Sequence, residues 1–175
     1  MIRRVLLALP AVFAASSADA QQKLVIPLKW YRVKVEDDAF TVEMPGIPDH
    51  RVVEDRSARG TAFAMHSYSL ETGGYSYVAQ TALYPADVDT TQPRRILQAA
   101  LDGRAQQLAT RKWSSVQWRD IDGAAAVESA GGLSGGSALR QLVVLKGHRF
   151  VSLAFLGAAV NVMEANRFFT SLKLS

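Results

Sequence analysis

The string Gly132-Leu133-Ser134-Gly135-Gly136 has the G-x-S-x-G spacing of a nucleophile elbow. In that device a strained strand-to-helix turn lifts a serine above a parallel sheet, where a histidine and an acid activate it. Here the following segment, Ala138–Lys146, reads as a strand. The acid is also out of order: no aspartate follows Ser134, and Glu164 comes only after His148. The string therefore reads as a glycine turn between two strands, and a weak serine hydrolase is the third-ranked alternative for the whole chain. The stretch Gly131–Ser137 resembles a phosphate cradle in composition, but no lysine precedes Ser137 and no helix follows. Neither a charge nor a helix N-terminus is offered to a phosphate.

Metal and acid–base chemistry find equally little to work with. There is no cysteine, so disulfides, thiolate zinc sites and thiol nucleophiles are all excluded. His50, His66 and His148 are the only histidines. His50 has Asp49, Glu54 and Asp55 nearby in sequence, but no helical or hairpin spacing assembles a ligand set, so surface or singly hydrogen-bonded histidines are expected. Asp37–Asp38 reads as a turn, because aspartate side chains satisfy turn backbone groups. Asp87 and Asp89 flank the start of a helix, where negative charge is favoured. Neither pair has an aromatic platform beside it, as a paired-carboxylate glycosidase would need. No catalytic residue, metal or cofactor is expected.

Aromatic and basic residues are the more suggestive set. Trp30, Tyr31, Tyr68, Tyr75, Tyr77, Tyr84, Trp113 and Trp118 are many for the core of a chain this size, and Tyr and Trp are favoured at interfaces. Arg94–Arg95 and Arg111–Lys112 bracket the best helix with positive charge. Trp30, Tyr31, Arg94, Arg95, Arg111, Lys112 and Trp113 are the candidate partner-binding residues. No Lys/Arg run alternates with exposed aromatics, so nucleic acid is not the expected partner.

The elements that must position these residues follow from hydrophobic period. Alternation predicts strands at Trp30–Val35, Phe40–Met44, Arg51–Arg56, Thr61–Leu70 and Tyr75–Tyr84. Pro45 and Pro48 fall too close together to sit inside a sheet, so the chain turns or runs along an edge there. A helix starts after Thr91 with Pro93 in its first turn, and carries Leu97, Leu101, Ala105 and Leu108 on one stripe. Strands follow at Val116–Ile121, Ala124–Ala130, Ala138–Lys146 and Arg149–Leu156. The last two are apolar on both sides and joined by Gly147–His148, which predicts a central hairpin covered on both faces. A closing helix over Val160–Ser171 puts Val162, Ala165, Phe169 and Leu172 on one face. The expected fold is α+β: one antiparallel sheet of six to eight strands, flanked by helices on both faces.

The first twenty residues have the three parts of an export signal: Arg3–Arg4, the apolar run Val5–Ala15, and the small-residue exit Ala18-x-Ala20. The run is too short to span a bilayer, so cleavage after Ala20 and a periplasmic or secreted product are expected, with no transmembrane segment left. Arg3–Arg4 also admits the twin-arginine route, although Ile2 sits where that signal usually has Ser or Thr. Residues 21–29 then form a leader and 30–175 a single domain. Cleavage leaves 155 residues and removes Arg3, Arg4 and Asp19, so the formal charge falls from +4 to +3. A chain of that size buries about 70% of its unfolded surface, enough for one real core.

With that order of elements, Phe40-Thr-Val-Glu-Met-Pro45-Gly46-Ile-Pro48, the strand Tyr75-Ser-Tyr77-Val78 ending at Tyr84–Pro85, Gly123-Ala-Ala-Ala-Val-Glu128 and the closing Phe168-Phe169-Thr-Ser171-Leu172-Lys173-Leu174 together resemble the PsbP-like family. The resemblance spans nearly the whole mature chain and implies an α/β/α sandwich. Members of that superfamily are mainly non-catalytic and include an extrinsic photosystem II subunit and a Ran-GTPase-binding protein. It therefore implies an accessory protein that binds a protein assembly or an envelope component, and supplies no catalytic motif. A small-molecule carrier or sensor, with a pocket between sheet and helix, is the alternative from another class.

Overall fold

The computed structural model describes residues 29–175 apart from Glu36 and Asp38. The export signal and nearly all of the leader lie outside the described residues. Among the described residues, ten strands and two helices follow one another in the order β1 (Tyr31–Lys34), β2 (Phe40–Met44), β3 (Asp49–Arg56), β4 (Ala62–Thr72), β5 (Tyr75–Leu83), α1 (Pro93–Ala105), β6 (Ser115–Ile121), β7 (Ala124–Gly132), β8 (Ala138–Lys146), β9 (Arg149–Gly157), α2 (Met163–Thr170) and β10 (Lys173–Leu174).

The strands form two antiparallel sheets, not the single helix-flanked sheet expected from the sequence. A seven-stranded sheet has the order β3-β4-β5-β9-β8-β7-β6, and a three-stranded sheet has the order β1-β2-β10. The division occurs where the prolines fall. Pro45 and Pro48 supply no backbone donor, so the ladder of β2 stops and the chain crosses to start β3 in the other sheet. The structure is mostly β, with 13 residues in α1 and 8 in α2.

Alternation in the large sheet explains the layers. Leu142, Val144, Leu153 and Phe155 point to one face, where they join Phe40, Val42 and Met44 of β2 and Ala165, Phe168 and Phe169 of α2 in the main core. Three inward side chains from the five residues of β2 are fully buried, each worth roughly 1.5–3 kcal/mol of transfer free energy. Val127, Val143 and Leu145 point to the other face and pack against Leu97 and Leu101 of α1. Leu108, just past α1, is buried and bridges to Leu133.

The large sheet is two meanders, β3-β4-β5 and β6-β7-β8-β9, joined along β5 and β9 from Ser76↔Leu156 to Leu83↔Arg149. The β8–β9 hairpin turns at Gly147–His148, with Lys146 opposite Arg149, as the two-residue connection predicts. A polar row crosses the α1 side of this sheet: Ser152 pairs with Gln80, Gln80 with Ser67 and Ser67 with Arg51, while Ser129 faces Gln141. The row passes from buried Ser129, Gln141 and Ser152 to exposed Arg51.

Candidate binding surfaces

β3 forms one margin of the seven-stranded sheet, hydrogen-bonded on one side only, to β4. All eight of its residues are exposed, and Val52 and Val53 retain 54% and 57% of their surface. A normal strand alternates buried and exposed because one face meets a core. Here β1, β2 and both helices lie over the strands further in, so β3 has water on both faces and an unpaired backbone margin. Its register against β4 runs unbroken from Asp49↔Ser69 to Arg56↔Ala62, with no bulge. The following turn is tied by Asp87, whose carboxylate accepts from the hydroxyls of Ser57 (2.6 Å) and Thr61 (3.0 Å). The Ser57 bond holds the Asp87 carboxyl below its ordinary range.

The β3–β4 register brings together two histidines that the sequence reading kept apart. Val52 pairs with His66 and His50 with Tyr68, so the histidines are diagonal neighbours on one face. His50 Nε2 and His66 Nδ1 stand 3.2 Å apart. Their ring centroids are 5.4 Å apart and the planes differ by 13°. That separation exceeds the N···N distance by about two ring radii, so the rings lie edge to edge in nearly one plane. Tyr68 stacks on His50 at 4.4 Å and 6°, fixing its plane. The signal was present in the sequence: counting back from the Ser57–Gly60 turn puts the two residues within one diagonal of each other. His148 lies elsewhere, in the β8–β9 turn, where its carbonyl accepts from Tyr84 N–H. Among the described residues no group of three or more His, Asp or Glu is placed to hold a metal ion.

The sequence-derived partner residues do not form one surface. Arg94, Arg95, Arg111, Lys112 and Trp113 surround α1. Trp113 is half-buried there and donates its indole N–H to Leu101 O at 3.1 Å, which makes it an anchor for the helix. Arg94 lies over the Trp118 ring at 5.2 Å, while Arg95, Arg111 and Lys112 are exposed. Trp30 and Tyr31 belong to the opposite face of the large sheet. Trp30 packs edge-on against Tyr77 and carries the Arg167 guanidinium at 4.6 Å, and Tyr31 is exposed beside Lys29. Asp89 accepts from Thr91 N–H and Oγ1–H at 3.0 and 2.6 Å, and α1 has no acidic residue in its first turn. The aspartates before α1 therefore tie loops and do not serve the helix end. Asp37 takes the left-handed φ of +58° between β1 and β2; Asp38 is outside the described residues.

Ser134 sits in the β7–β8 loop, where Leu133 N–H donates to Ser137 O at 2.7 Å and Gly135 and Gly136 adopt φ of +85° and +84°. The loop leads into strand β8 and not into a helix. It forms one wall of an open cavity of about 590 Å³ at the end of the sheet, with Glu71, Tyr75, Ser137 and Leu156 among its other lining residues. No residue of α1 or α2 lines this cavity. The Tyr75 ring lies directly on Gly157: a Cβ there would stand 2.4 Å from the ring, so only glycine fits without a shift.

No helix of the described residues is long and apolar enough to cross a membrane. No protein-family model matches the sequence, and no curated protein matches it. Among solved structures, the chain is similar to cyanobacterial PsbP (CyanoP) from Synechocystis sp. PCC 6803, known from a solution structure. The TM-score is 0.55 at 12% sequence identity, over 86% of this chain and 95% of that one. At that identity the likeness speaks for architecture alone, and the architecture of this chain is PsbP-like.

Proposed function

We propose that this chain is a non-enzymatic accessory protein, exported to the periplasm or secreted, that takes an extended segment of a protein assembly or envelope component along β3. The observation that supports this most is the eight-residue margin of the large sheet, exposed on both faces and regular throughout. Natural sheet margins are blunted by proline, a bulge or charged side chains; β3 has no proline and no bulge, and its charged residues leave the apolar pair Val52–Val53 uncovered between them. An added strand gains main-chain hydrogen bonds from such a margin, while alternate side chains set its specificity. Val52 and Val53 offer apolar contact at the centre, and Arg51, Glu54, Asp55 and Arg56 offer charges of both signs around it. Export is supported by Arg3–Arg4, the apolar run and Ala18-x-Ala20.

A photo-reactive residue at Val53, compared with one at exposed Ala99 on α1, tests the reading in envelope extracts. The Val53 probe is expected to capture one dominant partner. A synthetic peptide copying the captured segment should then slow amide exchange in β3 of the purified protein. Equal capture from Ala99, or a peptide that leaves β3 exchange unchanged, ends the proposal. A carrier or sensor has one observation in its favour, the open 590 Å³ cavity, within the roughly 300–1,000 Å³ of small-molecule sites, but it lies at the end of the sheet and not between sheet and helix where the sequence reading put a pocket.

A further inference from the structure

We infer that β3 pairs with β3 of a second copy of this chain, antiparallel and centred on Val53, so that two large sheets join into one. The inference rests on the reading of β3 as an open margin, but not on any envelope partner. Two copies joined edge to edge about a two-fold axis run antiparallel, and one residue at the centre stands opposite its own copy. The central candidates are Arg51, Val52, Val53 and Glu54, and charge decides between them.

Centring on Arg51 or on Glu54 sets that charge against itself, which is unfavourable across a strand pair. Centring on Val52 sets Asp49 against Asp55 twice. Centring on Val53 sets Arg51 against Asp55 twice, with the two Val53 side chains in contact between them. Arg51, Val53 and Asp55 share the sheet face of their β4 partners Ser67, Met65 and Phe63. Their row reads cation, apolar, anion, and the reversed copy reads anion, apolar, cation. Strand β3 is therefore complementary to itself in this one register.

Both charges are available for the pairing. Arg51 makes no ion pair among the described residues, and the Asp55 carboxylate accepts from Arg56 N–H at 2.7 Å. On the other face Arg56 falls opposite His50, and there its charge is already met by Glu54 Oε1 at 2.9 Å. The pairing covers Val53, which keeps 57% of its surface in the single chain. A ladder running only from His50 to Arg56 buries little area, so the pair is weak and reversible. One margin cannot hold a second copy and a partner segment at once, and self-pairing closes β3 until a partner displaces the copy.

The test is sedimentation velocity of the purified, untagged protein up to about millimolar concentration, where a concentration-dependent dimer is expected. Arg51→Asp and Asp55→Arg should each weaken it about tenfold or more, because each turns both attractive pairs into like-charge ones. An equimolar mixture of the two variants, both shown folded by circular dichroism, should dimerise again, since every new charge then meets its opposite. The chain has no cysteine, so single cysteines report the register. Val53→Cys should form a disulfide between copies in a mild oxidant, its Cβ atoms being about 4.5–5.5 Å apart. Val52→Cys, on a diagonal of about 7–8 Å, should not. A chain that stays monomeric, a mixture no better than its parts, or equal cross-linking at Val52 overturns the self-pairing. A monomer still leaves strand addition by an envelope partner standing, whereas a Val53 probe that captures nothing but a second copy ends the envelope partner and keeps this pair.

Discussion

The Tyr77 hydroxyl is fully buried with no hydrogen-bond partner, its ring boxed edge-on by Trp30, Phe155 and Phe168. Burial, with a smaller contribution from the Glu164 charge, pushes its pKa up to about 12. A raised phenol pKa leaves stability intact below the ordinary value of 10.0. As pH rises from there toward 12, the unfolded chain ionises first and stability falls. Tyr77→Phe removes a desolvated group with nothing to bond to, so the melting temperature at neutral pH should hold or rise, and the alkaline decline should flatten. A loss above about 1 kcal/mol in denaturant titration would contradict that account. Reading the sequence established Tyr77 as an interface or core aromatic but left its environment open, since burial of one ring depends on Trp30 and Phe168 arriving from distant segments. The His50–His66 pair was closer to legible: it needed only the strand register carried around the Ser57–Gly60 turn.

Element by element, most of the secondary structure was legible. Hydrophobic period and turn residues located β2 and β8 with their observed bounds, the β8–β9 hairpin, and α1 with Pro93 in its first turn. The buried stripe of α1 is Leu97, Leu101 and Ala105, as spacing predicted. The start of α2 was read three residues early, and β10 was missed, because two residues carry no period. α1 begins poorly: Gln92 at its N-cap makes no side-chain hydrogen bond, and the first turn has no acidic residue. Gln92→Asp supplies an acceptor for the free N–H groups and a charge of favourable sign, and should stabilise the fold by about 0.5–1 kcal/mol at neutral pH. Thermal melts at neutral and acidic pH separate the two effects, since the gain should shrink once the new carboxylate is protonated.

For the molecule as a whole, sequence pattern revealed which residues are buried but not which strands pair, and there the single-sheet expectation failed. Phe40, Val42 and Met44 read as one face of a strand, and nothing local said that face would lie across the large sheet instead of beside it. Pro45 and Pro48 were the visible clue, and their effect is to end one sheet and begin another. Because β2 and the large sheet share one core, the two sheets should melt together. Phe40→Ala should cost about 3–5 kcal/mol, and near-UV and far-UV signals should lose structure at one midpoint. Separate transitions would show that the small sheet is a detachable cap. The join along β5 and β9 also bears on how the chain finds its shape. Each meander is built from neighbours in sequence and can form early at little entropic cost. Bringing Leu83 to Arg149 closes a loop through α1 and three strands, and seating β10 on β2 closes a longer one still, so these two pairings carry the largest loop-closure cost of the fold.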